Sequence, residues 1–444
     1  MKKPVSPPNL ELIRKQIETK PGQLGKLFDL NAGPLVKNKY LHWDKLRFYT
    51  PPEGFTNEQW WLAIKKQRQS LYSKLPLKDE NQNSFKYLTI DYITQTLLKI
   101  DQSLLAFNQM SEQISKTETK NRYYVRSLIQ EAFTSSQLEG ATTTRLVAKE
   151  MIQTGRQPTD KSEQMILNNF SAMKHIHKLK DESLTKELIF ELHRLVTEKT
   201  LEDPSAVGRF RNADERIVIS DMYNEIFHEP PPADQLENRM ELMCDFANEK
   251  NMHGFVHPIV RAITLHFWLA YDHPFVDGNG RTARALFYWL MMRHRYWIFE
   301  FVSISQIIVK APAKYGRAFL YTETDDNDLT YFIIYHLKVI ERAIEELYRY
   351  IELKTKRVET IKSQLQGIVV LNHRQRAIVS HALKHPNHRY TIKSHRISHN
   401  VVYQTSRMDL LNLENRGLLT CEKIGRTWYF KPAANLEEKL TDMP

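Results

Sequence analysis

Apolar residues recur three and four positions apart over long stretches of this chain, and that period commits most of it to helices. "LTIDYITQTLLKIDQSLLAFNQM", "RYYVRSLIQEAFTSSQLEG" and "TKELIFELHRLVTEKTLED" carry it between about 85 and 200. "ADQLENRMELMCDFANEK", "GFVHPIVRAITLHFWLAYD" and "TARALFYWLMMRHR" resume it later, and 329–352 reads as one long amphipathic helix. Only 14 of 444 residues are glycine, as a helical chain requires, since glycine costs about 1 kcal/mol in a helix interior. Gly140 is placed as the C-cap of the second segment. Ahead of these lies an aromatic region, "YLHWDKLRFYTPPEGFTNEQWW", where a Pro-Pro-Glu-Gly turn and Thr56 announce a helix start and Trp60 and Trp61 read as packing residues. Residues 1–100 are expected to form an N-terminal helical region.

Two segments break the helical period. In "GRFRNADERIVISDMYNEIFHEPPP" a β-branched run and a second short apolar run flank a polar turn, so a β-hairpin is expected over about 215–228, ended by three prolines. From 370 to 444 the order is helix, helix, turn, helix and two short strands, which predicts a winged helix-turn-helix. Residues 372–431 hold eleven Lys and Arg against three Asp and Glu. Arg389, Lys393, Arg396 and Arg407, with the Lys423–Arg426 wing, would meet DNA phosphates; protein contact or dimer packing is the other use of such a module. The histidines here, from His373 to His399, add to the basic face, because no cysteine–histidine spacing supports a metal.

The whole-chain totals narrow the class. Lys and Arg exceed Asp and Glu by 63 to 52, which points toward anionic partners such as nucleotides or nucleic acid. Cys244 and Cys421 are too few for a disulfide framework, no run of about 18 apolar residues occurs, and the basic start is followed by no apolar run. A cytoplasmic protein without a membrane span is expected. A homo-oligomer is left open.

Chemistry concentrates in "HPFVDGNGRTAR", His273 to Arg284. Pro274 stops the preceding helix. Gly278 and Gly280 allow tight turning and close approach of a ligand to the backbone. A new helix starts near Arg281, and N–H groups at a helix start after a glycine-rich loop bind anions. Arg281 and Arg284 are three apart and are expected on one side of that helix, where two guanidinium groups favour several phosphates over one carboxylate. Asp277 is a hard oxygen ligand suited to magnesium. His273 titrates near neutrality and could take a proton from an attacking hydroxyl. No "GxxxxGK[ST]" occurs, and position 6 from Asp277 is Thr282 rather than the glycine of a calcium loop. A structural turn between two core helices remains the bland alternative.

Those twelve residues resemble the signature of the Fic family, H-x-F-x-[DE]-G-N-G-R-x-x-R, at every defined position. "SSQLEG", "NNFSAM", "GRFR", "HEPPP", "VHPIVRAITLHFWLAYDHPF" and "YTETDDNDLTYFI" resemble further stretches of bacterial Fic proteins, together spanning about 120–350. The aromatic N-terminal region resembles the leading part of one long subgroup. The resemblance implies a mainly α fold: a Fic-type helical core with a β-hairpin flap over 101–355. It implies transfer of AMP from ATP, with Mg2+, to a Ser, Thr or Tyr hydroxyl of a target protein. His273 would be the base, Asp277 the magnesium ligand, and Gly278, Asn279 and Gly280 the anion hole. Arg281 would hold the β-phosphate region, Arg284 the γ-phosphate, and Tyr315 would lie near the adenine. The hairpin would be the flap that registers a target strand.

"SSQLEG" further resembles the family's inhibitory motif, with Ser135, Glu139 and Gly140 in its defined places on a helix over about 123–140. Glu139 would pair with Arg284 and take the place of the γ-phosphate. In some relatives the same glutamate helps remove AMP from the target. Two other readings stay open: a DNA-binding regulator whose core only senses a nucleotide, and transfer of a different nucleotide or phosphate-linked group.

Overall fold

Two helices that are buried on nearly every face, Pro258–Asp272 and Asn279–Arg293, form the centre of the computed structural model. Every residue from Ile259 to Leu269 and from Arg281 to Met292 is buried, the pattern of helices surrounded by other helices. The structure describes residues 2–19, 25–27, 30, 32–113, 117–220, 225–250, 254–367, 371–425 and 427–441. It is mainly helical, and the chain divides into two compact units, Met1–Glu345 and Glu346–Pro444.

Among the described residues up to Gly367, the helices of eight residues or more are α1 (Leu10–Glu18), α2 (Asn57–Gln69), α3 (Asp91–Gln113), α4 (Thr117–Leu138), α5 (Arg145–Thr154), α6 (Lys161–Leu179), α7 (Lys186–Thr197), α8 (Leu236–Ala247), α9 (Pro258–Asp272), α10 (Asn279–Arg293), α11 (Pro312–Thr324) and α12 (Thr330–Gly367). Around the α9–α10 pair, α4, α6 and α7 pack on α10, and α8 packs on α9. Local signals set many boundaries. Thr56 caps α2 in a capping box with Gln59. Thr185 caps α7, and Pro258 occupies the first turn of α9 behind the His257 cap. Gly140 follows α4 with φ +93, a conformation that glycine adopts without strain.

The first hundred residues share the first unit. Lys65 is ion-paired to Asp325 at 2.7 Å with both side chains almost fully buried. Arg68 stacks on Tyr40 at 3.7 Å and donates to the Tyr331 hydroxyl at 2.9 Å. Tyr72 donates to Asp328 at 2.7 Å. A hairpin of β1 (Ser73–Lys78) and β2 (Ser84–Tyr87) turns Leu75, Leu77, Phe85 and Tyr87 inward. Of the hairpin expected at 215–228, β3 (Ile219–Ser220) pairs with β4 (Ile226–His228) antiparallel. Much of its polar turn, 221–224, lies outside the described residues.

In the second unit α13 (His373–Lys384), α14 (Ile392–His399) and α15 (Tyr403–Asn415) precede an antiparallel hairpin of β5 (Leu419–Ile424) and β6 (Thr427–Pro432). Val379, Leu410, Leu413, Leu418 and Phe430 make its core. The turn between α14 and α15 passes through Asn400 at φ +50. Among the described residues no helix is long and apolar enough to cross a membrane.

Candidate active site

The loop between α9 and α10 is held from several sides. Asp272, the last residue of α9, is fully buried and takes Arg239 at 2.8 Å and the Trp268 indole at 3.0 Å. His273 follows at φ +45, a conformation disfavoured for residues with a Cβ. Its carbonyl accepts from Arg211 Nε at 2.9 Å, and Pro274 accepts from the Arg211 amide at 2.8 Å. Those bonds tie the strained corner to the segment that leads into β3.

The His273 ring is oriented by its own backbone. Nδ1 lies 3.2 Å from the Ala270 carbonyl, so Nδ1 carries the proton and Nε2 keeps its lone pair. Burial holds the ring neutral, with its pKa down to about 4. A neutral imidazole with Nε2 available has the protonation state of a general base.

At the turn, Gly278 has φ +87 and N-caps α10. A Cβ there would lie 2.5 Å from the Thr197 methyl. Gly278→Ala is therefore expected to cost about 2–4 kcal/mol from left-handed strain and overpacking. Denaturant unfolding of the full chain measures it; a loss below 1 kcal/mol would contradict the crowding.

The first-turn N–H groups of α10 precede its first backbone bond, Thr282 to Gly278 at 2.9 Å, an arrangement that suits an anion at a helix start. Asn279 contributes backbone only. Its amide oxygen accepts from Phe275 N at 2.9 Å and its nitrogen donates to Phe275 O at 2.7 Å, so the side chain staples the loop and is not presented to a ligand.

Arg281 and Arg284 do not share a side. Arg281 is fully buried and donates to Val196 O at 2.8 Å and to Asp277 Oδ1 at 3.2 Å. Arg284 donates to Ser135 Oγ at 2.8 Å, Ser135 O at 3.0 Å and Glu139 Oε1 at 2.8 Å. Residues three apart are rotated about 60° on a helix, and with α7 on one flank of α10 and α4 on the other, that rotation is enough to separate them. The Asp277 carboxylate is 47% exposed. Among the described residues no three His, Cys, Asp or Glu side chains converge as a metal cage.

Glu139 reaches the first turn of α10. A Cβ built on Gly280 would meet its Oε1 at 2.2 Å and Arg284 at 3.1 Å. The carboxylate thus rests against the loop backbone with its charge on Arg284, which is 2% exposed. Tyr315 is at the same end. Its hydroxyl lies 2.8 Å from His266 Nε2; burial pushes its pKa up to about 12, against the pull of the nearby Arg284 charge.

Several positioning residues escaped the motif reading. His193 on α7 stacks on Phe275 at 3.8 Å, accepts from Gly208 N at 3.0 Å and donates to Asp277 O at 2.9 Å. Burial holds it neutral, with its pKa down to about 4. His228 in β4 bridges Tyr271 O and Glu323, both at 2.7 Å; burial opposes its charge, yet Glu323 and the Tyr271 carbonyl raise its pKa. It joins the hairpin to the ends of α9 and α11. Glu131, buried, accepts from Tyr288 at 2.9 Å and Ser303 at 2.7 Å. Glu131, Ser135 and Glu139 are four apart, so one anchored face of α4 delivers Glu139 to the loop.

Comparisons with known proteins fall on this region. Residues 183–291 match the model of the Fic/DOC family. A relative from Nematostella vectensis named protein adenylyltransferase Fic is 28% identical over 222 residues, 49% of this chain and 48% of that relative. One of the same name from Aedes aegypti is 32% identical over 174 residues, 38% and 33% of the two chains. The chain thus spans half or less of the length of these relatives. A Fic family protein from Desulfovibrio desulfuricans has the same fold, with TM-score 0.54, 18% identity, and coverage of 79% of this chain and 98% of that one.

Proposed function

We propose, on the premise that the chain carries a Fic/DOC-family domain, that it is a protein adenylyltransferase held off by its own Glu139. The observation that carries the reading is the Glu139 carboxylate seated against Gly280 and paired with Arg284 at 2.8 Å. A side-chain anion already occupies a site built for phosphate. When Glu139 leaves, Arg284 and the first-turn N–H groups of α10 are free for the triphosphate. His273 Nε2 then takes the proton from a target Ser, Thr or Tyr hydroxyl as its oxygen attacks the α-phosphorus and pyrophosphate departs. Positioning and charge stabilisation do most of the catalysis.

Asp277 is the residue that would hold magnesium. A lone, half-exposed carboxylate beside a phosphate site fits an ion that draws its other ligands from substrate phosphates and water. When bound, the ion neutralises phosphate charge. Arg281, on this reading, acts by fixing Asp277. Tyr315, at the same end as Arg284, would lie near the adenine. The β3–β4 hairpin offers a strand edge to an extended target segment.

The test is labelled ATP with magnesium on the full chain, comparing wild type, Glu139→Gly and His273→Ala. No label in folded, ATP-binding Glu139→Gly, on itself or on lysate proteins, ends the transferase reading.

The second unit is read as a winged helix that contacts DNA phosphates. Arg389, Lys393, Arg396, Arg407 and Lys423 are all exposed; Arg426 lies outside the described residues. Fluorescence anisotropy of the full chain on duplex DNA is expected to show binding that weakens about tenfold or more between 50 and 200 mM salt. Binding that ignores salt, or none at all, removes DNA as the partner and leaves protein contact.

A further inference from the structure

A cavity of about 400 Å³ in the first unit lies between Tyr40–Lys45, α11 and the start of α12. None of its lining residues belongs to the 273–284 loop or to the Ser135–Glu139 segment. On α11 it takes the face of Lys314, Arg317, Ala318 and Tyr321, whereas Tyr315 on another face bonds to His266.

Its charge is one-sided. Lys45, Lys314, Arg317, Lys338 and Arg342 line it, and no lining residue is acidic. Lys45 has Asp44 at 3.6 Å, and Glu341 beside Lys338 is engaged by the Tyr92 hydroxyl at 2.8 Å. Burial lowers the Lys338 pKa, Arg342, Lys39 and Lys314 push it further, and Glu341 opposes them. Like charges so gathered repel unless a ligand supplies the opposite sign. The walls are aromatic. His42, held neutral by burial with its pKa near 4, stacks on Tyr321 at 4.3 Å with the rings 13° from parallel. The Tyr40, Tyr321 and Tyr331 hydroxyls bond to Asp328, Asp44 and Asp325, so these residues line the cavity chiefly with their rings. The volume is that of a small-molecule site.

We propose that this cavity binds a small phosphorylated molecule with a planar aromatic group, of the nucleotide class, at a site separate from the anion loop. The cations take the phosphates, and the tyrosine and histidine rings take the planar part.

ADP is the probe, titrated calorimetrically with EDTA present into the full chain carrying Arg284→Ala, which takes the arginine from the anion loop. Binding is expected to persist there, and to weaken at least tenfold when Lys314→Ala and Lys338→Ala are added. Pyrophosphate, which lacks the ring, is expected to bind at least tenfold more weakly than ADP. Lys338→Ala in the otherwise wild-type chain is expected to keep or raise the melting temperature, since a repelled charge is removed. Loss of all ADP binding with Arg284→Ala in a folded chain overturns the proposal, as does binding indifferent to the two lysines. Pyrophosphate binding equal to ADP overturns the aromatic part, and a lower melting temperature for Lys338→Ala shows a structural charge instead.

Discussion

Glu139→Gly is expected to raise AMP transfer by about 100-fold, the equivalent of roughly 3 kcal/mol for a charge pair on a buried arginine that the triphosphate no longer has to break. The Glu139 oxygen lies against Gly280, so a phosphate oxygen and this carboxylate cannot share the loop. In the variant Arg284 keeps two bonds, to Ser135 Oγ and Ser135 O, and is not left stranded. Residue 139 lies just past the end of α4, where glycine costs less than in a helix interior. The fold should therefore survive, with a modest drop in melting temperature that ATP reverses more strongly than in wild type. Glu139→Gln separates charge from shape: it keeps the volume, loses the anion, and should release a part of the inhibition. Transfer that stays at the wild-type level in both variants would place the restraint elsewhere.

How much of this is legible in the sequence depends on distance along the chain. The helices came through, because the 3.6 period is local and strong in α3, α4 and α7 to α10. The β1–β2 hairpin did not. In β1 only Leu75 and Leu77 alternate, with Pro76 between them, where proline argues against a strand, and β2 is only the four residues Ser84–Tyr87. The loop residues stand out in the sequence because they are contiguous. Glu139 was legible through its motif, but Glu131, which anchors the same face, carries no motif, and only the spacing of four hinted at it. The division of Arg281 from Arg284 was not legible. Both are arginines on one turn of helix, and what parts them is Val196 on α7 and Ser135 on α4, each far away in sequence. His193 was hidden for the same reason: its partners Gly208 and Asp277 are brought to it only by the packing of α7 on α10.

His273→Ala, made in the Glu139→Gly background, is expected to lower transfer by about 100- to 10,000-fold, the range that a positioned general base contributes. ATP affinity should change little, because the anion loop rests on α10 and Arg284 and not on the imidazole. The loss should thus appear in kcat with KM for ATP nearly unchanged. The pH dependence gives an independent check. A histidine with an ordinary pKa of 6.5 would produce an acid limb near that value. His273 is held by burial near 4, so kcat/KM, which reports the free enzyme, should stay level on its acid side down to about pH 5. Stability moves the other way. The unfolded chain binds the His273 proton below 6.5 and the folded chain only below about 4, so this group destabilises the fold progressively as pH falls through that window. Activity that persists while stability declines between pH 6.5 and 5 is the combined signature of a base kept neutral by its surroundings. An acid limb at 6.5 in kcat/KM would mean that the ring is solvated in the working enzyme. A His273→Ala chain as active as its parent would remove the ring from the proton transfer altogether.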